Sequence, residues 1–440
     1  MVRRFIGLDV HKRVVEACGV DRAGRIVYRK RFGCSRAELL AFGKGELRRS
    51  DRIALEATTN TWAVAGVLRP FVEKVIVSNP VKTRAIAEAK IKTDKVDAQV
   101  LAQLLRCDYL PSVWIPEQEV QDLRQLTGRR AALIVDRAVV KNRIVSALAQ
   151  KLLVSPVTDL FSRRGFEWLE GLSLDEQTQL LISSDLKLFE GLTFQIERLD
   201  DVLFKRAFAE DKVKLLITLP GVDVAVAQSL LAAWGDMARF KDPDHAASYL
   251  GLTPSTKQSA DKCYHGSITK QGNRRARVML VQAAQHLSTH PGPLGAFFRR
   301  LARRKPRNVV IVATARKLAL IAWHMLRNNE PYRYALPGRT QMKLMRLRIR
   351  GGGGRQAPRG VKKGSKRPSS YGSGRLTRTL PALADVYGRE GLPKATPPDQ
   401  LPPGEARVLE KAGVRRYVLN LQTPQLLVKR EALRPPRPTR

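Results

Sequence analysis

Apolar and polar positions along the first hundred residues alternate as strands and then as strand–helix units. RFIGLDV, residues 4–10, is a short apolar run ending at Asp9. RVVEACGV, 13–20, alternates as a half-buried strand does, and GRIVYRKRF, 24–32, follows the turn signal DRAG. These three runs predict an antiparallel meander. A helix from Ser35 to Arg48 comes next, then the strand RIALEA, a helix from Thr61, the strand KVIVSN and more helix. Three strands followed by strand–helix alternation predict an α/β, ribonuclease-H-like (RuvC-like) domain over residues 1–115, an order that other folds share.

The period changes at Pro116, a helix-start signal. From there to Leu153, and again from Leu174 to Ala209, apolar residues recur at helical spacing with charges between. Region 116–208 therefore reads as two long helices, either a coiled-coil arm or a plain helical subdomain. Region 209–335 is also mostly helical. Its segment LPGVDVAVA is either a helix-hairpin-helix, whose turn brings backbone N–H groups to a phosphate, or an ordinary αα-hairpin. The apolar run from Asn308 contains Arg316 and Lys317 and reads as a buried helix rather than a membrane span. After about Pro337 the composition turns to Gly, Ser, Lys and Arg, with no Asp or Glu between Glu330 and Asp385. Region 336–440 is expected to be a basic, largely disordered tail, with a strand pair from RRYVLNLQTPQLLVKREAL near its end.

Charge narrows the function. Lys and Arg total 79 against 40 Asp and Glu in 440 residues, a formal +39. A compact chain of that charge repels itself unless a polyanion offsets it, and nucleic acid is the first-choice partner. An acidic membrane surface is the weaker alternative, because no basic amphipathic helix carries a bulky aromatic face. The four cysteines, Cys18, Cys34, Cys107 and Cys263, are scattered and none has zinc-ligand spacing. A reduced, cytoplasmic, nucleoid-associated protein without a signal peptide is expected.

Four acids form the candidate chemistry. Asp9 and Glu56 end predicted strands, and Asp94 and Asp97 open a predicted helix at i, i+3, on one face. In a ribonuclease-H-like sheet the first and fourth strands lie side by side, and a helix packed on them brings its acids to the same point. Four carboxylates there raise one another's pKa unless divalent cations neutralise them. Mg2+, with Mn2+ as the alternative, suits hard oxygen ligands and phosphodiester chemistry. Taken singly, each acid has a plainer reading. Asp94 reads as an N-cap with Asp97 at N3, and Asp9 as a turn residue. Glu56, flanked by apolar residues, is harder to explain without a partner.

The segments FIGLDVHK, ALEATTNTW, KTDKVDAQVLAQLL, LPGVDVAVAQSLLAAWGD, ARFKDPDHAASYLGLTP and KQSADKCYHGSITKQGNRRARVML occur in that order. Together they resemble the DEDD-type transposases of insertion-sequence family 110 and the related site-specific DNA invertases, over residues 1 to about 330. The resemblance implies a junction-resolvase-like N-terminal domain whose Asp-Glu-Asp-Asp metal site matches Asp9, Glu56, Asp94 and Asp97. It implies a mostly helical C-terminal domain over 209–335 with a catalytic serine, matching Ser259, and Ser255 as the fallback. Ala260 stands where the family usually has Gly, which restricts the backbone after the serine. The implied reaction is attack of the serine on a DNA phosphate, giving a phosphoserine link that conserves the bond for rejoining. The acids and the serine lie on different domains, so the site is assembled, in the family between subunits of a dimer or tetramer held by region 116–208. The resemblance further implies donor and target double-stranded DNA and a structured non-coding (bridge) guide RNA, with base pairing reading sequence.

Lys270, Arg274, Arg275 and Arg277 cluster around a Gly272–Asn273 turn and read either as phosphate ligands or as a solvated helix start. Lys362, Lys363, Lys366 and Arg367 in the tail are expected to bind nucleic acid without sequence preference. Two further readings stand beside the recombinase: a metal-dependent endonuclease specific for structures such as Holliday junctions, with Ser259 incidental, and an inactive nucleic-acid-binding relic.

Overall fold

A computed structural model describes residues 3–86, 93–259, 262–352 and 377–428. It divides into two compact units, Met1–Glu117 and Gln118–Arg440.

The first unit is a six-stranded sheet in the order β3-β2-β1-β4-β5-β6. Its strands are β1 (Phe5–Val10), β2 (Val14–Val20), β3 (Ile26–Gly33), β4 (Arg52–Glu56), β5 (Lys74–Ser78) and β6 (Ser112–Val113). β1, β2 and β3 form the antiparallel meander, β1, β4 and β5 run parallel, and β6 closes the edge antiparallel to β5. Helices α1 (Arg36–Gly45) and α2 (Thr61–Leu68) contribute Leu39, Phe42, Val64, Ala65 and Leu68 to one core, against Ile6, Leu8, Val10, Ile53 and Leu55. Ser35 and Glu38 start α1 with a reciprocal capping box. Helix α3 (Pro80–Ile86) precedes α4 (Asp94–Arg106), which covers the opposite face. There Ala98, Leu101, Ala102 and Leu105 bury against Phe5, Cys18, Val20 and Ala54.

Gly7 sets how closely α4 lies on β1. A Cβ at this position would overlap the Ala98 carbonyl and the Ala102 amide. Only glycine lets the helix backbone rest on the strand.

In the second unit, α5 (Gln118–Gln150) and α7 (Glu176–Ala209) pack as an antiparallel hairpin with α6 (Arg163–Glu170) between them. Arg130–Asp200, Arg143–Asp185 and Lys151–Asp175 pair rung by rung along it. Val140, Ile144, Leu148, Ile182 and Phe189 fill its outer seam. Its base is part of a larger core, because Phe204 and Ala207 bury with α8 (Asp211–Ile217), α9 (Val224–Trp234) and α10 (Pro243–Tyr249). The two-stranded sheet of β7 (Pro254–Ser259) and β8 (Lys262–Ile268) follows, then α11 (Arg274–Gln285), α12 (Pro293–Ala302), α13 (Arg307–Asn328) and α14 (Pro337–Gly351). α13 is long and apolar enough to cross a membrane by length and composition. It packs as a core helix, with Val310, Ala315, Leu318, Ala319 and Ala322 fully buried.

The LPGVD turn between α8 and α9 is an internal αα-hairpin. Leu219, Pro220 and Val222 are buried, and Gly221, at φ 78°, presses on the Ala283 carbonyl of α11. The Lys343 ammonium donates to the carbonyls of Ile217, Leu219 and Val222 at 2.8–2.9 Å.

The expectation of a largely disordered tail over 336–440 is corrected for its described residues, 336–352 and 377–428. Beyond α14, the chain forms β9 (Thr377–Leu380), α15 (Leu383–Arg389), α16 (Pro403–Lys411), α17 (Arg415–Asn420) and β10 (Gln425–Val428), with β9 and β10 antiparallel. Leu383, Val386, Tyr387, Leu392, Leu409, Val414, Val418 and Leu421 belong to the main core of the unit. The Tyr387 and Tyr417 hydroxyls donate to the Tyr332 and Tyr334 carbonyls. The segment therefore buries enough apolar surface to offset its ordering entropy. The boundary expected between 208 and 209 does not separate compact units either.

Candidate functional site

Asp9, Asp94 and Asp97 come together on the α4 face of the sheet, and Glu56 ends the neighbouring strand. Side chains alternate along β1, so Phe5, Gly7 and Asp9 share one face while Ile6, Leu8 and Val10 enter the other core. Parallel pairing of Leu8 with Leu55 sets Glu56 beside Asp9 at the end of the neighbouring strand. Glu16 of β2 lies directly opposite Asp9 and is 7% exposed, paired with Arg31 at 3.3 Å.

α4 brings the other two carboxylates. Its N-cap is Thr93, whose hydroxyl accepts from the Val96 amide at 3.3 Å. This corrects the plain reading of Asp94 as the cap: Asp94 is the first helical residue and Asp97 lies one turn in. Neither carboxylate has capping work to do, and both favour the positive end of the helix dipole. Because Gly7 seats Ala98 on β1, the preceding turn of α4 lies over Asp9.

His11, two residues past Asp9, was not singled out from the sequence. Its Nε2 lies 3.0 Å from Asp9 Oδ2 and 3.3 Å from Asp94 Oδ1. One atom from each of Asp9, His11 and Asp94 falls within 4.8 Å of the others, spacing that could hold a metal ion. Burial pushes the Asp9 carboxyl up, His11 draws it back, and Asp94 and Asp97 push it up again. The charge of Asp9 is the main cause holding the His11 imidazolium above its ordinary range. The donor set suits a hard divalent cation, because oxygens dominate and crowded carboxylates are relieved by positive charge.

The remaining predicted residues lie in the second unit. Ser259 is the last residue of β7, paired with Lys262 of β8; Ala260 lies outside the described residues. Ser255 donates its hydroxyl to the Ser267 carbonyl at 3.1 Å. The Gly272–Asn273 turn leads into α11, with Asn273 as its N-cap accepting from the Ala276 amide. Lys270, Arg274 and Arg275 are exposed beside it. Arg277 is half-buried and donates to the Leu250 carbonyl at 2.8 Å, so it clamps the loop below the surface. Lys362, Lys363, Lys366 and Arg367 lie outside the described residues.

A mixed sheet with an acid cluster on one face, joined to a helical unit, fits an enzyme acting on phosphodiesters. Comparison with known proteins makes the class definite. Residues 6–152 match the transposase family of the DEDD type, and residues 213–299 match the family described as "Transposase IS116/IS110/IS902 family". A putative transposase, y4pF/y4sB, of Sinorhizobium fredii is 30% identical over 75% of this chain and 86% of its own length. The transposase for insertion sequence element IS1111A of Coxiella burnetii is 23% identical over 75% and 91%. The pilin gene-inverting protein of Moraxella bovis is 24% identical over 76% and 98%. The chain is thus a transposase, an enzyme of DNA recombination. It belongs to the IS110 family of insertion-sequence transposases.

Proposed function

We propose that this transposase cuts and rejoins insertion-sequence DNA with Asp9, Glu56, Asp94 and Asp97 as ligands of Mg2+, or Mn2+, and Ser259 as nucleophile. The observation that carries the metal half is the convergence of Asp9 and Asp94 on one point beneath the α4 N-terminus. The strand order, with β1 between an antiparallel β2 and a parallel β4, supports a ribonuclease-H-like fold for this unit. The ion would stabilise the extra charge on the attacked phosphate. Asp9, Glu56, Asp94 and Asp97 would hold it, and the sheet and Gly7 keep their spacing rigid.

The Ser259 hydroxyl gives up its proton and attacks phosphorus. The bond from phosphorus to the leaving deoxyribose oxygen breaks, and that oxygen takes a proton. A phosphoserine link remains. A hydroxyl of the recipient strand then attacks it, restoring the serine and a phosphodiester. Donor and target double-stranded DNA are the substrates, and a structured guide RNA supplies sequence choice. The α5–α7 hairpin is the coiled-coil element for dimer or tetramer formation; its exposed Val135, Leu180, Leu181 and Phe194 support that use.

The test is denaturing gel analysis of labelled element-end DNA incubated with protein, guide RNA and Mg2+. Wild type should give a covalent protein–DNA adduct. Ser259→Ala should give neither adduct nor rejoined product, and Asp9→Ala or Glu56→Ala should give no cleavage. Cleavage by Ser259→Ala without an adduct would replace this mechanism with that of a metal-only endonuclease. Undiminished activity of the acid variants would remove both.

A further inference from the structure

A groove of about 850 Å3 in the second unit is used by none of the chemistry above. α12 and α13 form one side and α16 the other. Phe297, Ile321, Met325 and Tyr334 line it, and Val408 of α16 is 62% exposed there. Arg299, Arg300, Arg303, Lys317 and Lys411 also line it.

The two carboxylates in the groove are already committed. Arg333 binds Glu330 through two nitrogens at 2.7 and 2.8 Å and reaches Glu405 at 2.9 Å. The Tyr334 hydroxyl donates to the other Glu405 oxygen at 2.6 Å. Among the described residues, no ion pair neutralises the five rim cations. Arg299 is tied to the Ser288 and His290 carbonyls, which fixes its charge at the rim. Arg300 lies over the Phe297 ring at 5.6 Å. Exposed Arg304, Lys305 and Arg307 extend the basic strip past the end of α12, and the sequence has no acid between Asp261 and Glu330.

An apolar floor beneath a cationic rim matches unpaired nucleotides. Base faces bury on aromatic and aliphatic surface, and phosphates meet guanidinium and ammonium groups. A duplex keeps its base faces stacked inside and has nothing to offer the floor. We propose that this groove binds a short single-stranded stretch of nucleic acid, bases toward Phe297, Ile321 and Val408 and phosphates along Arg300, Arg303, Lys317 and Lys411. The groove's lining includes neither Ser259 nor the four acids, and α16 lies beyond both family matches.

The test uses the full chain in EDTA, so that catalysis plays no part, and fluorescence anisotropy of labelled U12 and dT12 across a salt series. Arg300→Glu with Arg303→Glu should weaken binding at least tenfold. The pair should also flatten the log–log salt slope by about 1.4, for two lost phosphate contacts. Lys317→Glu with Lys411→Glu should act likewise from both walls, and serves if circular dichroism shows the first pair misfolded. Arg163→Glu, whose side chain is 93% exposed on α6, should change affinity less than twofold. Loss confined to U12 assigns an RNA strand, and loss confined to dT12 a DNA strand. The proposal is overturned if both folded pairs bind within twofold of wild type, or if a 12-base-pair duplex loses as much. Displacement of the oligonucleotide by polyglutamate at equal charge overturns it too, in favour of an acidic peptide.

Discussion

Asp9, Glu16, Glu56, Asp94 and Asp97 lie toward one face of the sheet in the first unit, whereas one stretch of the second unit, from Lys262 to Ala384, has Glu330 as its single acid. Both arrangements are costly for an isolated chain. Like carboxylates raise one another's pKa, and unbalanced cations repel. The costs call for different partners. Carboxylates at one point call for a small divalent cation, because only a compact charge reaches them all. Cations spread over many turns of helix call for a polyanion with a repeating charge. The proposed divalent ion would answer the first demand, and nucleic acid the second.

Removing one acid tests the first half most severely. Asp9→Asn should lower strand cleavage on the order of 1,000-fold, the scale expected when transition-state charge stabilisation is lost. Its melting temperature should stay level or rise, since the lost charge sits half-buried among like charges. A variant that cleaves normally, or that melts many degrees lower, would make the cluster an ordinary stabilising network.

Gly7→Ala separates position from charge, because every carboxylate remains. The added methyl should force α4 off β1, costing about 1–3 kcal/mol by urea denaturation and lowering cleavage together with stability. Full cleavage in a destabilised protein would show that the height of α4 does not matter to the acids.

The acid-poor stretch of the second unit makes a pH prediction. His290 is 8% exposed, and burial, with Lys343, Arg299 and Arg339 nearby, lowers its pKa from 6.5 to about 4. Between those values the unfolded chain takes a proton that the folded chain refuses. Stability should therefore fall as pH drops from 6.5 toward 4, by on the order of 2 kcal/mol from this residue. His290→Gln should lose that part of the acid dependence in denaturation curves at pH 7 and 4.5. The smallest effect belongs to the exposed Arg163–Glu167 pair: Arg163→Ala should change stability by less than about 0.5 kcal/mol.

The sheet was legible because period-2 alternation and turn residues are local signals. The strands RFIGLDV, RVVEACGV and RIALEA fall where β1, β2 and β4 form. Asp9 and Glu56 stood out as acids at the ends of such runs. Glu16 and His11 did not, since cross-strand register and a side chain reaching back across a turn carry no mark in one dimension. Thr93 was overlooked as a cap because two aspartates follow it. The folded segment 377–428 was missed for a physical reason: its apolar residues are thinly spread among prolines and charges. Tyr387 and Tyr417 gain their value from carbonyls more than 50 residues away in sequence.

The late position of that segment sets the order in which the enzyme matures on the ribosome. All strands of the first unit have been synthesised by residue 113, so the acid-bearing sheet can close early. The second unit lacks Val414, Val418 and Leu421 of its core until some 300 residues later. At bacterial elongation rates that delay is roughly 15–60 s. For that interval the nascent chain carries its acid-bearing sheet while the helical half stays unsealed. The fold of the second unit is therefore sealed late, while the chain is still tethered beside the message that encodes it.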